Sequence, residues 1–353
     1  MARSEAPSLV IIQGECYDPL TNATGLELLI STWARACADQ GITTTVLAEG
    51  WDNRLYQNTG EPFMRCVATP TTFERTLREL CGQSTVISCH ARAQRVPSDI
   101  GVPFSIFAHS THFAFQRWLA LSVPGRDHPA YEAQELRHLG AATRWAGPSR
   151  YATTTMPFPE ATPVDVVPPF ADPALVRAPR GPQMNLALYL GRPIERKGLY
   201  WLLNNRRQWS FPFTWAGDLS ASPEYPSLEK VMKHFPPLAP VRGRAQVYPL
   251  LATAPVVLCP YRQEPFGMVI IESLAAGARV VAFDEGGPSE MKGLPGLSLV
   301  KTGDIAAFDE AVVAALDNAP LCSTDRQQIA DRYSPETSKN SFVQHIRALQ
   351  ECV

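Results

Sequence analysis

The sequence is poor in the signals that assign a protein quickly, and each absence narrows the field. Its eight cysteines (Cys16, Cys37, Cys66, Cys81, Cys89, Cys259, Cys322 and Cys352) include no Cys-x-x-Cys and no paired Cys/His spacing, which argues against a zinc site and leaves buried thiols as the simplest reading. No stretch approaches the roughly 18 uninterrupted apolar residues of a membrane helix. The opening "MARSEAPSLVIIQGECYDPL" has too short an apolar run for a secretory signal, so a soluble, cytoplasmic protein without a transmembrane segment is expected. A net charge of -2 gives no electrostatic case for a nucleic-acid or anionic-membrane partner. No Gly-x-Gly-x-x-Gly follows an apolar run, which removes the loop that a dinucleotide-dependent oxidoreductase needs to approach a pyrophosphate. Neither a repeat of solenoid length nor a low-complexity tract is present.

What is present is a long, ordinary globular chain. At 353 residues, 45% of them hydrophobic, it exceeds what one core usually supports, so two domains are expected. Apolar runs rich in branched residues alternate with helix-period segments, the pattern of parallel strands joined by crossover helices. In the first half "SLVIIQG", "TTTVLAE", "TVISCH", "PFSIFAH" and "VDVVPP" read as strands, and Leu26, Leu29, Ile30, Trp33 and Cys37 as a helical stripe. The proline-dense "PPFADPALVRAPRGPQ" reads as a linker. Beyond it come "NLALYLG", "FTWAG", "PVVLCPY", "RVVAF" and "LSLV", with "DIAAFDEAVVAAL" as the clearest helix and Asp304 as its N-cap. The expectation is an N-terminal Rossmann-like domain over 1–170, a linker over 171–183 and a C-terminal Rossmann-like domain over 184–333. A last helix over 334–353 has the option of packing back on the first domain. Two doubly wound parallel sheets of this kind face each other across a cleft, with chemistry in the strand-to-helix loops.

One such loop is "CPYRQEPFGMVIIESLAAGARVVAF", residues 259–283, which holds Glu264 and Glu272 among apolar neighbours. Pro265 fixes the backbone before the helix, and the amides of Phe266, Gly267 and Met268 are left as unpaired donors at its start, an end that attracts oxygen-rich ligands. Seven intervening residues put the two carboxylates on different faces, roughly 12 Å apart along an ideal helix. A glycosidase pair needs about 5 to 9.5 Å, so two separate hydroxyl-binding carboxylates fit better. A glutamate before a helix can merely complement the dipole, as Glu264 would. Glu272, flanked by Val269, Ile270, Ile271 and Leu274, is costly without a partner or ligand. Upstream, "LYLGRPIERKGLYWLL" places Arg192 and Lys197 in another strand-to-helix turn, suited to a diphosphate. Both are read there as surface-facing, so that their removal leaves the fold intact.

These stretches together resemble the retaining nucleotide-sugar glycosyltransferases of family 4, which share the GT-B fold. The shared pattern is a glutamate, seven residues, a second glutamate, a strand and a Gly-Gly loop ("EPFGMVIIESLAAGARVVAFDEGGPSEM"), preceded by Gly-Arg and Lys-Gly in "LYLGRPIERKGLYWLL". The likeness extends loosely over nearly the whole chain. It departs at Pro169, Phe170 and Ala171, where the family has Pro-Asn-Gly, and in the first loop "GECYDPLTNATGLE", where Gly25 is the counterpart of one of two family glycines.

The resemblance implies a metal-independent enzyme without cofactor, whose donor is a UDP- or GDP-linked sugar. Glu272 would hold the ribose, Glu264 and the amides of Phe266 to Met268 the sugar hydroxyls, and Arg192 and Lys197 the diphosphate. His109, at the end of "VPFSIFAHST", would face the transferred sugar. No Asp-x-Asp triplet of the metal-dependent enzymes occurs. The acceptor is a hydroxyl, with a small molecule or glycan favoured and a lipid carrier or nucleobase left open. The competing readings are another GT-B enzyme, such as an epimerase or phosphorylase, and a non-catalytic sugar-nucleotide-binding protein.

Overall fold

The computed structural model describes residues 8–15, 25–49, 54–56, 60–69, 71–81, 84–89, 95–108, 137, 140–155, 161–217, 233, 235–241 and 243–352. They fall into two compact units. The first takes the described residues through Pro168 and regains the chain at Glu336; the second takes Pro169–Pro335.

The first unit is an eight-stranded sheet. Its strands are β1 (Ser8–Glu15), β2 (Thr43–Glu49), β3 (Arg54–Tyr56), β4 (Met64–Ala68), β5 (Thr85–Ser88), β6 (Phe104–Phe107), β7 (Arg144–Gly147) and β8 (Val164–Val166). The order is β3-β4-β2-β1-β5-β6-β7-β8, parallel throughout except for β3 against β4. Helices α1 (Gly25–Asp39), α2 (Phe73–Cys81), α3 (Arg95–Ile100) and α4 (Arg150–Thr154) accompany it. The apolar runs form strands because helices cover both faces of such a sheet: β5 and β6 are buried at every position. In α1, Leu29, Ile30, Trp33 and Cys37 fall on one buried stripe.

The second unit is a six-stranded parallel sheet. In chain order it comprises α5 (Pro173–Arg177), β9 (Ala187–Leu190), α6 (Leu199–Asn204), β10 (Phe213–Gly217), β11 (Ala239–Pro240), α7 (Arg244–Thr253), β12 (Val256–Cys259), α8 (Met268–Ala275), β13 (Arg279–Phe283), β14 (Leu297–Val300), α9 (Ile305–Leu316) and α10 (Ser323–Arg332). The strand order β11-β10-β9-β12-β13-β14 reverses between β9 and β12. In α9 the Asp304 side chain accepts from the Ala307 amide at 3.0 Å, the N-cap expected of it. Helix α8 closes with paired bonds from Gly277 N to Leu274 O and Ala278 N to Ser273 O, both 2.9 Å, which satisfy carbonyls its last turn would leave bare.

The proline-rich segment behaves differently from the free linker its composition suggests. Asp172 caps α5 by accepting from Ala174 N at 2.8 Å, and Ala171 and Leu175 are buried in the second unit's core. Arg326 donates to Leu175 O and Ala178 O at 2.7 and 3.0 Å, so the carbonyls of this segment are fastened to α10. Proline density here shortens the helix without freeing the chain.

The last helix, α11 (Pro335–Gln350), belongs to the first unit from Glu336 onward. Phe342 stacks on Trp33 with ring centres 4.6 Å apart, and the Trp33 indole donates to Ser338 Oγ at 3.0 Å. His345 is buried between Ser105 Oγ and Asp165 Oδ2, each 2.7 Å from a ring nitrogen, and Arg144 holds Asp165 at 2.8 Å. That network pins an otherwise polar helix to β6 and β8.

Candidate active site

The strand order reverses between β9 and β12, and the carboxyl ends of the strands at such a reversal are where open α/β sheets bind ligands. The loop after β9 contains Arg192, Arg196 and Lys197, and the loop after β12 contains Glu264. Lys197 Nζ lies 2.7 Å from Glu264 Oε2, and Arg196 Nη1 lies 3.2 Å from the same oxygen. Lys197 also sits over the Tyr261 ring, 4.4 Å from its centre.

Backbone contacts draw the two loops together. Arg262 N donates to Arg196 O at 2.8 Å, and the Tyr261 hydroxyl donates to Leu190 O at 2.9 Å. Gly198, with φ +78°, lies so close to Pro260 that an added Cβ would overlap the Pro260 carbonyl. The β13 side supplies the third wall: Gly287 N donates to Glu264 O at 2.8 Å, and a Cβ on Gly287 would stand 2.6 Å from Phe266 Cα. Gln263, just before Glu264, has φ +50°, a conformation costly for a side-chain-bearing residue. It is held there by its amide bond to Glu285 Oε1 at 2.9 Å, and Thr302 fixes the other oxygen of Glu285 at 2.8 Å.

Burial alone would push the Glu264 carboxyl up; Lys197 and Arg196, with Arg192 behind them, overcome it and hold the group below the usual carboxylate range. Burial lowers the Lys197 ammonium, with Glu264 opposing. Lys197 is therefore no surface cation: its side chain is 16% exposed and committed to Glu264. The expectation that it faces solvent is corrected, because the loop folds back over Tyr261. Arg192 remains exposed, its carbonyl taking the Tyr189 hydroxyl at 3.0 Å.

Glu272 lies in α8, 8% exposed. Burial raises its carboxyl to about 7, with Arg244 opposing and Asp172 adding to the rise. Asp172 is itself occupied, accepting from the Tyr248 hydroxyl at 2.6 Å and from Ala174 N. Gly267 is the N-cap of α8 with φ +97° and no side-chain cap, and among the described residues no acceptor takes the amides of Phe266, Gly267 and Met268.

Of the remaining expected residues, Gly25 opens α1 and His109 lies outside the described residues. Phe170 and Ala171, where the family pattern is broken, are buried. Sequence reading missed Arg196, although it adjoins Lys197 in "RPIERKG", and it missed the Asp172, Tyr248 and Arg244 group around Glu272. The Asp-Pro pair at 172–173, a helix-start signal, was the visible clue to Asp172. In the first unit it also missed Gln13. That side chain is 4% exposed at a register shift in β1, at the other point of strand-order reversal, and neither its Oε1 nor its Nε2 has a hydrogen-bond partner among the described residues.

Among the described residues no cluster of metal-ligating side chains occurs, and no helix is long and apolar enough to cross a membrane. The described cysteines are unbridged. Burial pushes the thiols of Cys37, Cys81, Cys89 and Cys259 up to about 12, which suits packing and not reactivity.

Residues 185–318 match the family model described as Glycosyl transferases group 1, which spans both loops of the site. No curated protein sequence matches the chain. Among solved structures, sucrose-phosphate synthase from Thermosynechococcus elongatus superposes with a TM-score of 0.73 at 15% identity, over 98% of this chain and 100% of that one. Anabaena HepE in complex with UDP-glucose gives 0.66 at 14% identity, over 97% and 99%. AviGT4, a glycosyltransferase involved in avilamycin A biosynthesis, gives 0.63 at 17% identity, over 98% and 99%. The fold is thus GT-B, two parallel-sheet α/β units. With a group 1 glycosyltransferase domain on that fold, the chain is a glycosyltransferase.

Proposed function

We propose that the chain is a retaining, metal-independent glycosyltransferase that moves a sugar from a nucleoside-diphosphate sugar to a hydroxyl acceptor. The observation that carries this reading is the cluster of Lys197 and Arg196 on Glu264 at the strand-order reversal, one helix away from the buried carboxyl of Glu272. UDP-glucose in the complex of the similar HepE structure supports the donor class.

In this reading Glu272 takes the ribose hydroxyls, and Glu264 with the amides of Phe266, Gly267 and Met268 takes hydroxyls of the sugar. Arg192, Arg196 and Lys197 face the diphosphate. As the bond from the anomeric carbon to the phosphate oxygen breaks, its electron pair passes to that oxygen. The cations stabilise the growing charge, so a divalent ion has no task left to perform. The acceptor oxygen bonds to the anomeric carbon on the same face, and its proton passes to the departing phosphate. No enzyme nucleophile is required. His109 is assigned to the transferred sugar, the acceptor to a small molecule or glycan, and the reaction to the cytoplasm.

The test is release of nucleoside diphosphate from a panel of nucleotide sugars in excess EDTA, for wild type and for Arg192→Ala. Turnover persisting in EDTA and falling about a hundredfold in the variant, with donor affinity changed much less, is expected. Turnover that EDTA abolishes and magnesium restores would reject metal independence; unchanged turnover in Arg192→Ala would reject its role at the diphosphate.

A further inference from the structure

Arg244 opens α7, four positions past the end of β11, whose two residues pair with the carboxyl end of β10, so it follows the ligand side of the second unit's sheet. Its Nε and Nη2 are buried and have no hydrogen-bond partner among the described residues. These two atoms are the side-on fork of the guanidinium, whose N–H bonds point the same way and suit two adjacent acceptors. Leaving both donors dry is costly unless something completes them.

Nearby groups define what that can be. Arg244 is the charge that most strongly opposes the burial of Glu272, and it also acts on Tyr248. Asp172 already accepts from Ala174 N and the Tyr248 hydroxyl, one on each oxygen, and it makes no hydrogen bond to Nε or Nη2. Glu272 makes no hydrogen bond to Nε or Nη2. A second anion, whether phosphate or carboxylate, would enter near Asp172 and meet like charge. The fitting partner is neutral and offers two adjacent acceptors.

On the proposed donor reading, on which this inference rests, Glu272 holds the ribose and the nucleobase follows next to it. Uracil's two carbonyls flank an N–H and cannot engage both arms. Adenine sets an amino donor beside N7, and cytosine's adjacent acceptors, O2 and N3, begin next to the glycosidic bond, where the ribose crowds them. Guanine presents O6 and N7 side by side, the pair for which a bidentate arginine is the commonest specific contact. We propose that Arg244 reads the O6/N7 edge of a guanine base, so that the preferred donor is a GDP-linked sugar.

The experiment is isothermal titration of the intact protein with GDP, UDP, CDP, ADP and 7-deaza-GDP, which lacks the N7 acceptor. It is repeated on Arg244→Lys, whose ammonium keeps the charge and loses the fork. Wild type should bind GDP about tenfold or more tighter than the other three natural diphosphates, and 7-deaza-GDP about tenfold weaker than GDP. Arg244→Lys should lose about tenfold for GDP while UDP changes less than about twofold. UDP or CDP binding as tightly as GDP, or an equal loss for every nucleotide in the variant, would overturn the assignment and leave the donor reading intact. Absence of binding by all the diphosphates would overturn the donor reading itself. Should Arg244→Lys fail to fold, the 7-deaza comparison on wild type decides alone.

Discussion

Lys197 Nζ stands 2.7 Å from Glu264 Oε2, and the two residues come from loops that follow different strands of one sheet. The pair ties the end of β9 to the end of β12, and Arg196 shares the same oxygen. A buried pair of this kind contributes little net stability, yet removing Lys197 leaves the buried Glu264 carboxylate to Arg196 alone.

Removing Lys197 alone should therefore cost more than removing the pair. Lys197→Ala is expected to lose about 3 kcal/mol of stability, and Lys197→Ala combined with Glu264→Gln should recover about half of it. Urea midpoints of the two single variants and the double variant measure the coupling. Additive losses would mean that the contact is only incidental.

Glu272 should make the protein less stable as pH rises. Its folded-state carboxyl titrates near 7 against an ordinary 4.5. Between those values the native state keeps a proton that the unfolded chain has lost, so stability falls across that window and levels off above it. At about 1.4 kcal/mol per pKa unit the loss is on the order of 3 kcal/mol. Glu272→Gln should remove this slope, melting above wild type at pH 8, while nucleotide affinity drops more than about tenfold. A variant that melts lower than wild type at pH 8 would show that the carboxylate is paired in the native state.

Gly287→Ala places a methyl group against Phe266 and the Pro265 carbonyl, directly behind Glu264. The loop must move, so turnover should fall by about tenfold or more, since misplacement of about 1 Å costs as much as a hundredfold. Circular dichroism and turnover together check it; normal turnover would mean that the loop tolerates displacement.

In the first unit, His345 and then Arg144 overcome burial and hold the Asp165 carboxyl down to about 2. The stability this contributes is present above the unfolded value of 3.8 and is lost as pH falls from there to about 2. Asp165→Asn should abolish that acid-dependent part and speed amide exchange across 335–350 at neutral pH. Unchanged exchange in that helix would detach it from the Asp165 network.

The major strands of both sheets were legible because fully buried parallel strands are written as unbroken apolar runs. "TVIS" and "VVLC" each became strands buried at all four positions. Short or mixed strands were not: β4 reads "MRCVA", with Arg65 buried against Glu61 and Ser31, and β11 is two residues long. Glu264, Glu272 and Lys197 were legible through spacing. Arg196 and Tyr261 were not, since each enters through a contact with a residue far away in the chain, and single-sequence periodicity carries no such information. Lys197 shows the same limit: a lysine between Arg196 and Gly198 looks solvent-bound until the fold lays it on Tyr261.

The most direct test of the central claim is proton NMR of the reaction with an α-linked nucleotide sugar in excess EDTA, following the anomeric signal from the first turnover. For a gluco- or galacto-configured donor, transfer with retention predicts that the donor signal decays as nucleoside diphosphate accumulates, and that the first sugar product, whether transferred or hydrolysed, carries the small H1–H2 coupling of the α anomer. A β anomer as first product would contradict retention, and an undiminished donor across the full panel of nucleotide sugars and hydroxyl acceptors would contradict glycosyl transfer from a nucleotide.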